Sequence, residues 1–91
     1  MSENQKKIWI TGASSGIGKA LAEKFASEDW KVAVSARRKE ILDEMANNEN
    51  ISSYPLDVTN QDQIDSVFKN IISDFGYLDL CVFSSGTYDP K

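Results

Sequence analysis

Short apolar runs alternate with amphipathic stretches along the chain. In the stretches, apolar residues recur every three or four positions, the period of a helix with one buried face. The runs are short and rich in β-branched and aromatic residues, as in strands buried within a sheet. The pattern predicts four strands, at Ile8–Ile10, Lys31–Ala36, Ile51–Asp57 and Leu78–Ser84, separated by three helices, at Ile17–Glu28, Arg38–Asn47 and between Asn60 and Gly76.

This alternation predicts the fold class. Each strand–helix–strand unit gives two parallel strands joined by a right-handed crossover. Four such strands predict the first half of a Rossmann-type, doubly wound α/β sheet with strand order 3-2-1-4. Pro55 has no backbone N–H to donate, so it indicates either that the third strand lies at the sheet edge or that the strand ends there. A ligand is expected in the crevice between strands 1 and 4, beyond their carboxyl ends.

The third helix carries signals at both ends. Thr59 and Asn60 are N-cap candidates, and Gly76 is expected to end the helix. An apolar stripe between these signals is expected to pack on the sheet. Its members are Ile64, Val67, Phe68, Ile71, Ile72 and Phe75.

A glycine-rich turn joins the first strand to the first helix, with the spacing T-G-x-x-x-G-x-G over Thr11–Gly18. Glycines let backbone N–H groups approach a ligand closely, and the first turn of a helix leaves four N–H groups without internal partners. Such a junction suits a pyrophosphate. A tight strand-to-helix turn with no ligand is the alternative interpretation.

All eight residues of Thr11–Gly18, T-G-A-S-S-G-I-G, match the form common in one family. The stretch resembles the cofactor loop of the short-chain dehydrogenase/reductase family. The resemblance implies a nicotinamide dinucleotide cofactor held at this turn. The cofactor-binding residues that it implies here are Gly12, Ser14, Ser15, Gly16, Ile17 and Gly18.

The end of the second strand decides which dinucleotide is bound. A carboxylate there would accept hydrogen bonds from a ribose 2′-OH, whereas this chain has Ala36-Arg37-Arg38. An arginine pair can hold a phosphate monoester through charge and forked hydrogen bonds. NADP is therefore favoured over NAD, with Arg37 the stronger candidate and Arg38 the weaker. The alternative is that both arginines are solvated charges before a helix.

Two further stretches resemble the same family. Leu56-Asp57-Val58-Thr59 is similar to the tract after strand three, where the Asp57 carboxylate and the Val58 N–H would meet the adenine ring. Asp57 as a helix-capping residue is the alternative, and both roles can coexist.

The run from Phe75 to Gly86 is similar to the family's F-G-x-L-D-x-L-V-N-N-A-G, with Phe83-Ser84-Ser85 in place of N-N-A. Backbone contacts from Ser84, Ser85 and Gly86 to the cofactor ribose are implied. The missing Asn side chains put their role in bracing strand four in doubt.

Composition narrows the function further. Ten basic and 14 acidic residues give a net charge of −4, which argues against nucleic-acid and anionic-membrane partners. There is no histidine and one cysteine, Cys81, which excludes an internal disulfide and a His/Cys zinc site. Cys81 is expected to be a small buried core residue. With no signal-peptide pattern or membrane-span window, we expect a cytoplasmic protein.

The resemblance implies an oxidoreductase that transfers hydride between NADP(H) and a small carbonyl or alcohol substrate. The family's catalytic Ser, Tyr and Lys are not identified here, so residues 1–91 are interpreted as one dinucleotide-binding domain, truncated after strand four and inactive alone. The exposed edge of strand four predicts self-association into a homo-oligomer. A non-catalytic dinucleotide-binding or interaction module is the alternative.

Overall fold

A computed structural model describes residues 5–12, 16–57 and 59–83. Strands and helices alternate in the predicted order, and most of their ends lie within two residues of the predicted positions. The elements are β1 (Lys7–Thr11), α1 (Gly16–Ser27), β2 (Lys31–Ser35), α2 (Lys39–Met45), β3 (Ile51–Ser53), α3 (Gln61–Phe75) and β4 (Leu80–Phe83).

The four strands form one parallel sheet with the order β3-β2-β1-β4. The predicted order 3-2-1-4 is confirmed. β1 lies between β2 and β4, with Trp9 opposite both Ala33 and Cys81. The sheet is therefore a Rossmann-type first half, and the predicted crevice lies where the chain crosses from one side of β1 to the other.

β3 is shorter than predicted, because regular pairing ends at Ser53 instead of Asp57. The chain nevertheless stays bonded to β2 beyond Ser53. Tyr54 N–H donates to Val34 O at 2.8 Å, and Leu56 N–H donates to Ala36 O at 3.0 Å. Pro55 falls between these two donors, where its missing N–H costs no bond to β2, since β3 lies at the sheet edge as predicted.

Side chains from alternate strand positions form a core on each face of the sheet. On one face α1 and α2 cover β1 and β2, with Ile8, Ile10, Val32 and Val34 fully buried. On the other face α3 packs over a cluster centred on Trp9. Trp9 Nε1–H donates to the buried Ser35 Oγ at 2.9 Å, which ties β1 to β2 near their carboxyl ends.

The predicted α3 stripe is confirmed only in part. Ile71 and Phe75 are buried, whereas Phe68 is 42 % exposed with its ring 6.1 Å from that of Trp9. Gly76 ends α3 as predicted, with φ of 92°, a region that favours glycine.

Asp79 aligns β4 on β1 at the amino end of the sheet. Lys7 N–H donates to Asp79 Oδ2 at 2.8 Å, and Asp79 N–H donates to Lys7 O at 2.8 Å. The Lys7 ammonium also donates to Phe75 O and lies 4.1 Å from the centre of the Tyr77 ring. These contacts give Asp79 a structural role.

The prediction that Cys81 is a buried core residue is wrong, because its side chain is exposed. β4 is the outermost strand on its side of the described sheet, so Cys81 has Trp9 on one flank and no strand on the other. Leu80, the first residue of β4, is 43 % exposed. Self-association through this edge stays a prediction.

Candidate functional site

The predicted site residues follow the carboxyl ends of adjacent strands. Gly12 follows β1, Arg37 lies two residues after β2, and Asp57 ends the extension of β3. Because the strands are parallel and paired in register, these residues all lie at the carboxyl end of the sheet. Ser14, Ser15, Val58, Ser84, Ser85 and Gly86 lie outside the described residues, and their contacts stay predictions.

The glycines of the turn differ in what the chain requires of them. Gly12 has φ of 71°, a conformation that glycine adopts without strain. Gly18 is buried on the side of α1 that also carries the fully buried Ala22 one turn later, so a small residue fits against the sheet. Gly16 and Ile17 form the start of α1, whose first N–H groups have no acceptor within the helix.

Gly16 has neither of these reasons to be glycine. Its φ lies outside the positive region, and a Cβ added to it would meet no described atom within 4 Å. No described residue therefore fills the space beside the Gly16 Cα. No described part of the chain explains why position 16 is a glycine. The close approach of a ligand to this backbone would explain it.

Arg37 and Arg38 are both exposed at the end of β2. Arg38 occupies the N-cap position of α2, but its side chain makes no cap hydrogen bond. Within the described ranges neither guanidinium forms an ion pair, whereas the neighbouring Lys39 ammonium lies 3.1 Å from the Asp43 carboxylate. Both arginine charges are thus available to an anion at this edge.

Asp57 is held by a compact set of hydrogen bonds. Its Oδ1 accepts from Thr59 Oγ1 at 2.6 Å and from Thr59 N–H at 3.0 Å. Hydrogen bonds from the Thr59 side chain and backbone lower the pKa of the Asp57 carboxyl, and the charge of Arg37 lowers it further. Asp57 is therefore a carboxylate at neutral pH, with Arg37 close enough to act on it electrostatically.

Asn60, and not Asp57 or Thr59, caps α3. Asn60 Oδ1 accepts from Gln63 N–H at 3.1 Å, which satisfies one of the free N–H groups of the first turn. Gln63 returns its side chain to the loop, where Oε1 accepts from Asp57 N–H at 3.0 Å. The capping alternative for Asp57 is therefore wrong as a direct contact with the helix.

Gln63 was not among the predicted site residues, although the sequence carried a signal for it. Asn60 and Gln63 stand three residues apart, which is the spacing of a capping box. An open groove of about 250 Å³ also lies beside this loop, and the hydrophobic pattern gave no sign of it. Its walls are formed by Pro55, Asn60, Asp62, Gln63, Ser66 and Val67.

The described residues form neither a metal site nor a membrane span. Among the described residues, no group of three or more His, Cys, Asp or Glu side chains is arranged to hold a metal ion. No helix in the same ranges combines the length and the apolar character that a membrane span requires.

The arrangement can be compared with known proteins. A family model described as short chain dehydrogenase matches residues 6–91. The chain belongs to the short-chain dehydrogenase family. This family consists of oxidoreductases that use nicotinamide dinucleotides.

One relative of this short-chain dehydrogenase chain is an uncharacterized oxidoreductase from Staphylococcus haemolyticus. The two are 40 % identical over 86 residues, which are 91 % of this chain and 37 % of the relative. The chain therefore spans little more than a third of the length of the curated relatives that it matches.

Solved structures give the same result for the fold. A short-chain dehydrogenase from Streptomyces avermitilis superposes with a TM-score of 0.81 at 37 % identity, covering 89 % of this chain and 30 % of that one. A 3-ketoacyl-(acyl-carrier-protein) reductase from Brucella melitensis, complexed with NADH, has a TM-score of 0.80 at 28 % identity. That match covers 84 % of this chain and 32 % of the reductase.

The lowered pKa of Asp57 predicts how this loop responds to acid. A carboxyl with a depressed folded-state pKa stabilises the fold above its ordinary value of 3.8 and loses that contribution as the pH falls through the folded value. The wild type should exceed the Asp57→Asn variant in free energy of unfolding by a constant amount well above pH 3.8. The difference should shrink at lower pH, where the protonated acid resembles the amide.

Urea denaturation of both proteins across this range measures the difference. Both curves must be recorded at one ionic strength, because salt screens the contribution of Arg37. A difference that grows on acidification would contradict the assignment of Asp57 as a stabilised carboxylate.

Proposed function

We propose that this chain binds NADP(H) and forms the dinucleotide-binding part of an oxidoreductase. The whole protein would transfer hydride between NADP(H) and a small carbonyl or alcohol substrate. The observation that carries the proposal is the space beside Gly16 that no described residue fills, at the carboxyl end of the sheet where Gly12, Arg37 and Asp57 also lie. Membership of the short-chain dehydrogenase family supports it.

The pyrophosphate would lie at the start of α1. Gly12 turns the chain away from β1, and backbone N–H groups would reach the ligand from Ser14, Ser15, Gly16, Ile17 and Gly18. The partial positive charge of the helix N-terminus adds an attraction for the two phosphates. Because Gly16 has no Cβ, the ligand can approach its backbone closely.

The preference for NADP rests on the end of β2. The buried Ala36 leaves this strand end without a carboxylate that would repel a 2′-phosphate. The exposed Arg37 guanidinium has no competing ion pair in the described chain and can bond a phosphate through two parallel donors. Arg38 would contribute charge from one residue further on.

The adenine would lie against the end of the β3 extension, where Asp57 offers a carboxylate and Val58 a backbone N–H. Ser84, Ser85 and Gly86 follow β4 and would contact the ribose on the other side of β1 through their backbone. The nicotinamide ring of the bound cofactor would supply the hydride chemistry. The residues of this chain would bind and orient the cofactor.

Replacement of Gly16 by Ala tests the phosphate loop. The methyl group meets no described atom and alanine favours a helix over glycine, so the free energy of unfolding should be unchanged or rise by up to about 1 kcal/mol. The same methyl group would occupy the path of the ligand and should raise the dissociation constant for NADPH by about tenfold or more. Urea denaturation and isothermal titration calorimetry measure the two quantities.

Gly76→Ala is the matched control, since Gly76 has φ of 92° at the opposite end of the sheet. It should cost about 1–2 kcal/mol of stability and leave the affinity for NADPH unchanged. The phosphate-loop assignment is wrong if folded Gly16→Ala binds NADPH as tightly as the wild type.

Replacement of Arg37 by Ala tests the choice of cofactor. Loss of a charge-assisted hydrogen bond to the 2′-phosphate should cost about 1.5–3 kcal/mol of binding free energy for NADPH. NADH has no such phosphate and should lose little. Parallel titrations with NADPH and NADH, followed by the emission of Trp9 and Trp30, measure both affinities.

Lys39→Ala removes the same charge two residues away, where the ammonium is paired with Asp43, and should leave the ratio of the two affinities unchanged. Equal losses for NADPH and NADH in Arg37→Ala would refute a 2′-phosphate contact and leave binding of the pyrophosphate untouched.

A further inference from the structure

The loop after β3 fixes Asp57 through its backbone as well as its side chain. Asp57 N–H donates to Gln63 Oε1 at 3.0 Å, and Asp57 O accepts from Asn60 N–H at 2.9 Å. Because both backbone groups are bonded to the start of α3, the Cα of Asp57 has a defined position relative to the helix. Only rotation of the side chain remains to be set.

Thr59 sets that rotation. Its hydroxyl and its backbone N–H donate to the same oxygen, Asp57 Oδ1, at 2.6 and 3.0 Å. In the described part of the chain the other oxygen, Oδ2, accepts no hydrogen bond. A carboxylate accepts at both oxygens, so Oδ2 is left to an external donor. Holding the carboxylate in one orientation removes an ordering cost that binding would otherwise include.

The location of this carboxylate limits what that donor can be. Leu56 N–H bonds to Ala36 O at 3.0 Å, so Asp57 and Arg37 lie on neighbouring chain ends. Arg37 is the proposed partner of a 2′-phosphate, and in an adenosine 2′-phosphate the base and the phosphate are attached to adjacent carbons of one ribose. A group bonded by Arg37 therefore brings its base into the neighbourhood of Asp57. The donor that adenine offers is its exocyclic 6-amino group.

We propose that Thr59 is a positioning residue for recognition of the base: its hydroxyl holds Oδ1 of Asp57 so that Oδ2 accepts from the 6-amino group of adenine. The inference rests on the proposed binding of NADP(H) and adds a residue that touches neither cofactor nor substrate. It assigns to an exposed threonine before a helix a part in choosing the base.

The test compares NADPH with its hypoxanthine analogue, in which an oxo group replaces the 6-amino group. The oxo group is an acceptor and would face a carboxylate, so the wild type should prefer NADPH by about tenfold or more. Thr59→Val keeps the shape and removes the hydroxyl, and should reduce the preference to about threefold or less. Thr59→Ser restores the hydroxyl and should restore the preference.

Two further variants keep the test interpretable. Thr59→Ala removes the hydroxyl in a second way, in case valine at this position disturbs the loop. Ser27→Ala removes a hydroxyl that donates to Lys24 O at 2.7 Å, far from Asp57, and should keep the preference of the wild type. Calorimetric titration of both dinucleotides into each folded variant gives the ratios.

The outcomes separate this inference from the function on which it rests. If Thr59→Val and Thr59→Ala weaken both dinucleotides equally, Thr59 has a structural role only and the inference is overturned. If the wild type binds both dinucleotides equally well, Asp57 does not contact the amino group, and the inference is again overturned. A wild type that binds neither refutes the proposed function itself.

Discussion

The pairing of β1 with two neighbours is the constraint on which the rest of the structure depends. β1 is bonded to β2 on one side and to β4 on the other, with Ile10 opposite both Val34 and Val82. The crossovers that contain α1 and α3 are right-handed and run in opposite directions across the sheet. They therefore place α1 and α3 on opposite faces. Their separation opens a crevice beyond the carboxyl end of β1, where the chain turns at Gly12.

The site is a consequence of this arrangement and of a few local hydrogen bonds. The sheet brings Gly12, Arg37 and Asp57 to its carboxyl end, where α1 begins with N–H groups that have no acceptor within the helix. Trp9 and Ser35 fix β1 against β2 just below that end. Along this end of the sheet lie the backbone at the start of α1, two arginines that form no ion pair with any described residue after β2, and the Asp57 carboxylate held by Thr59 after β3.

Much of the fold was predictable because its signals are local. The spacing of apolar residues predicted the strands and helices, and Gly76 marked the end of α3. The apolar neighbours of Cys81 predicted burial, which is wrong, whereas the exposed edge predicted for the fourth strand agrees with the exposure of Cys81 at the rim of the described sheet. Positions of Arg37 and Asp57 followed from strand order, whereas the contact of Gln63 with Asp57 depends on loop geometry. Pro55 was identified as a signal for a sheet edge or a strand end. The hydrogen bonds to β2 on either side of Pro55 were not predicted.

The most direct test of the central claim is a titration of the 91-residue chain with NADPH, followed through backbone amide chemical shifts. A dinucleotide at the carboxyl edge of the sheet predicts shifts at Gly12, Gly16, Arg37 and Asp57, which saturate together at NADPH concentrations below about 1 mM. Amides at the amino edge, such as Lys31, should not move. Shifts confined to the amino edge, or none at that concentration, would contradict the account.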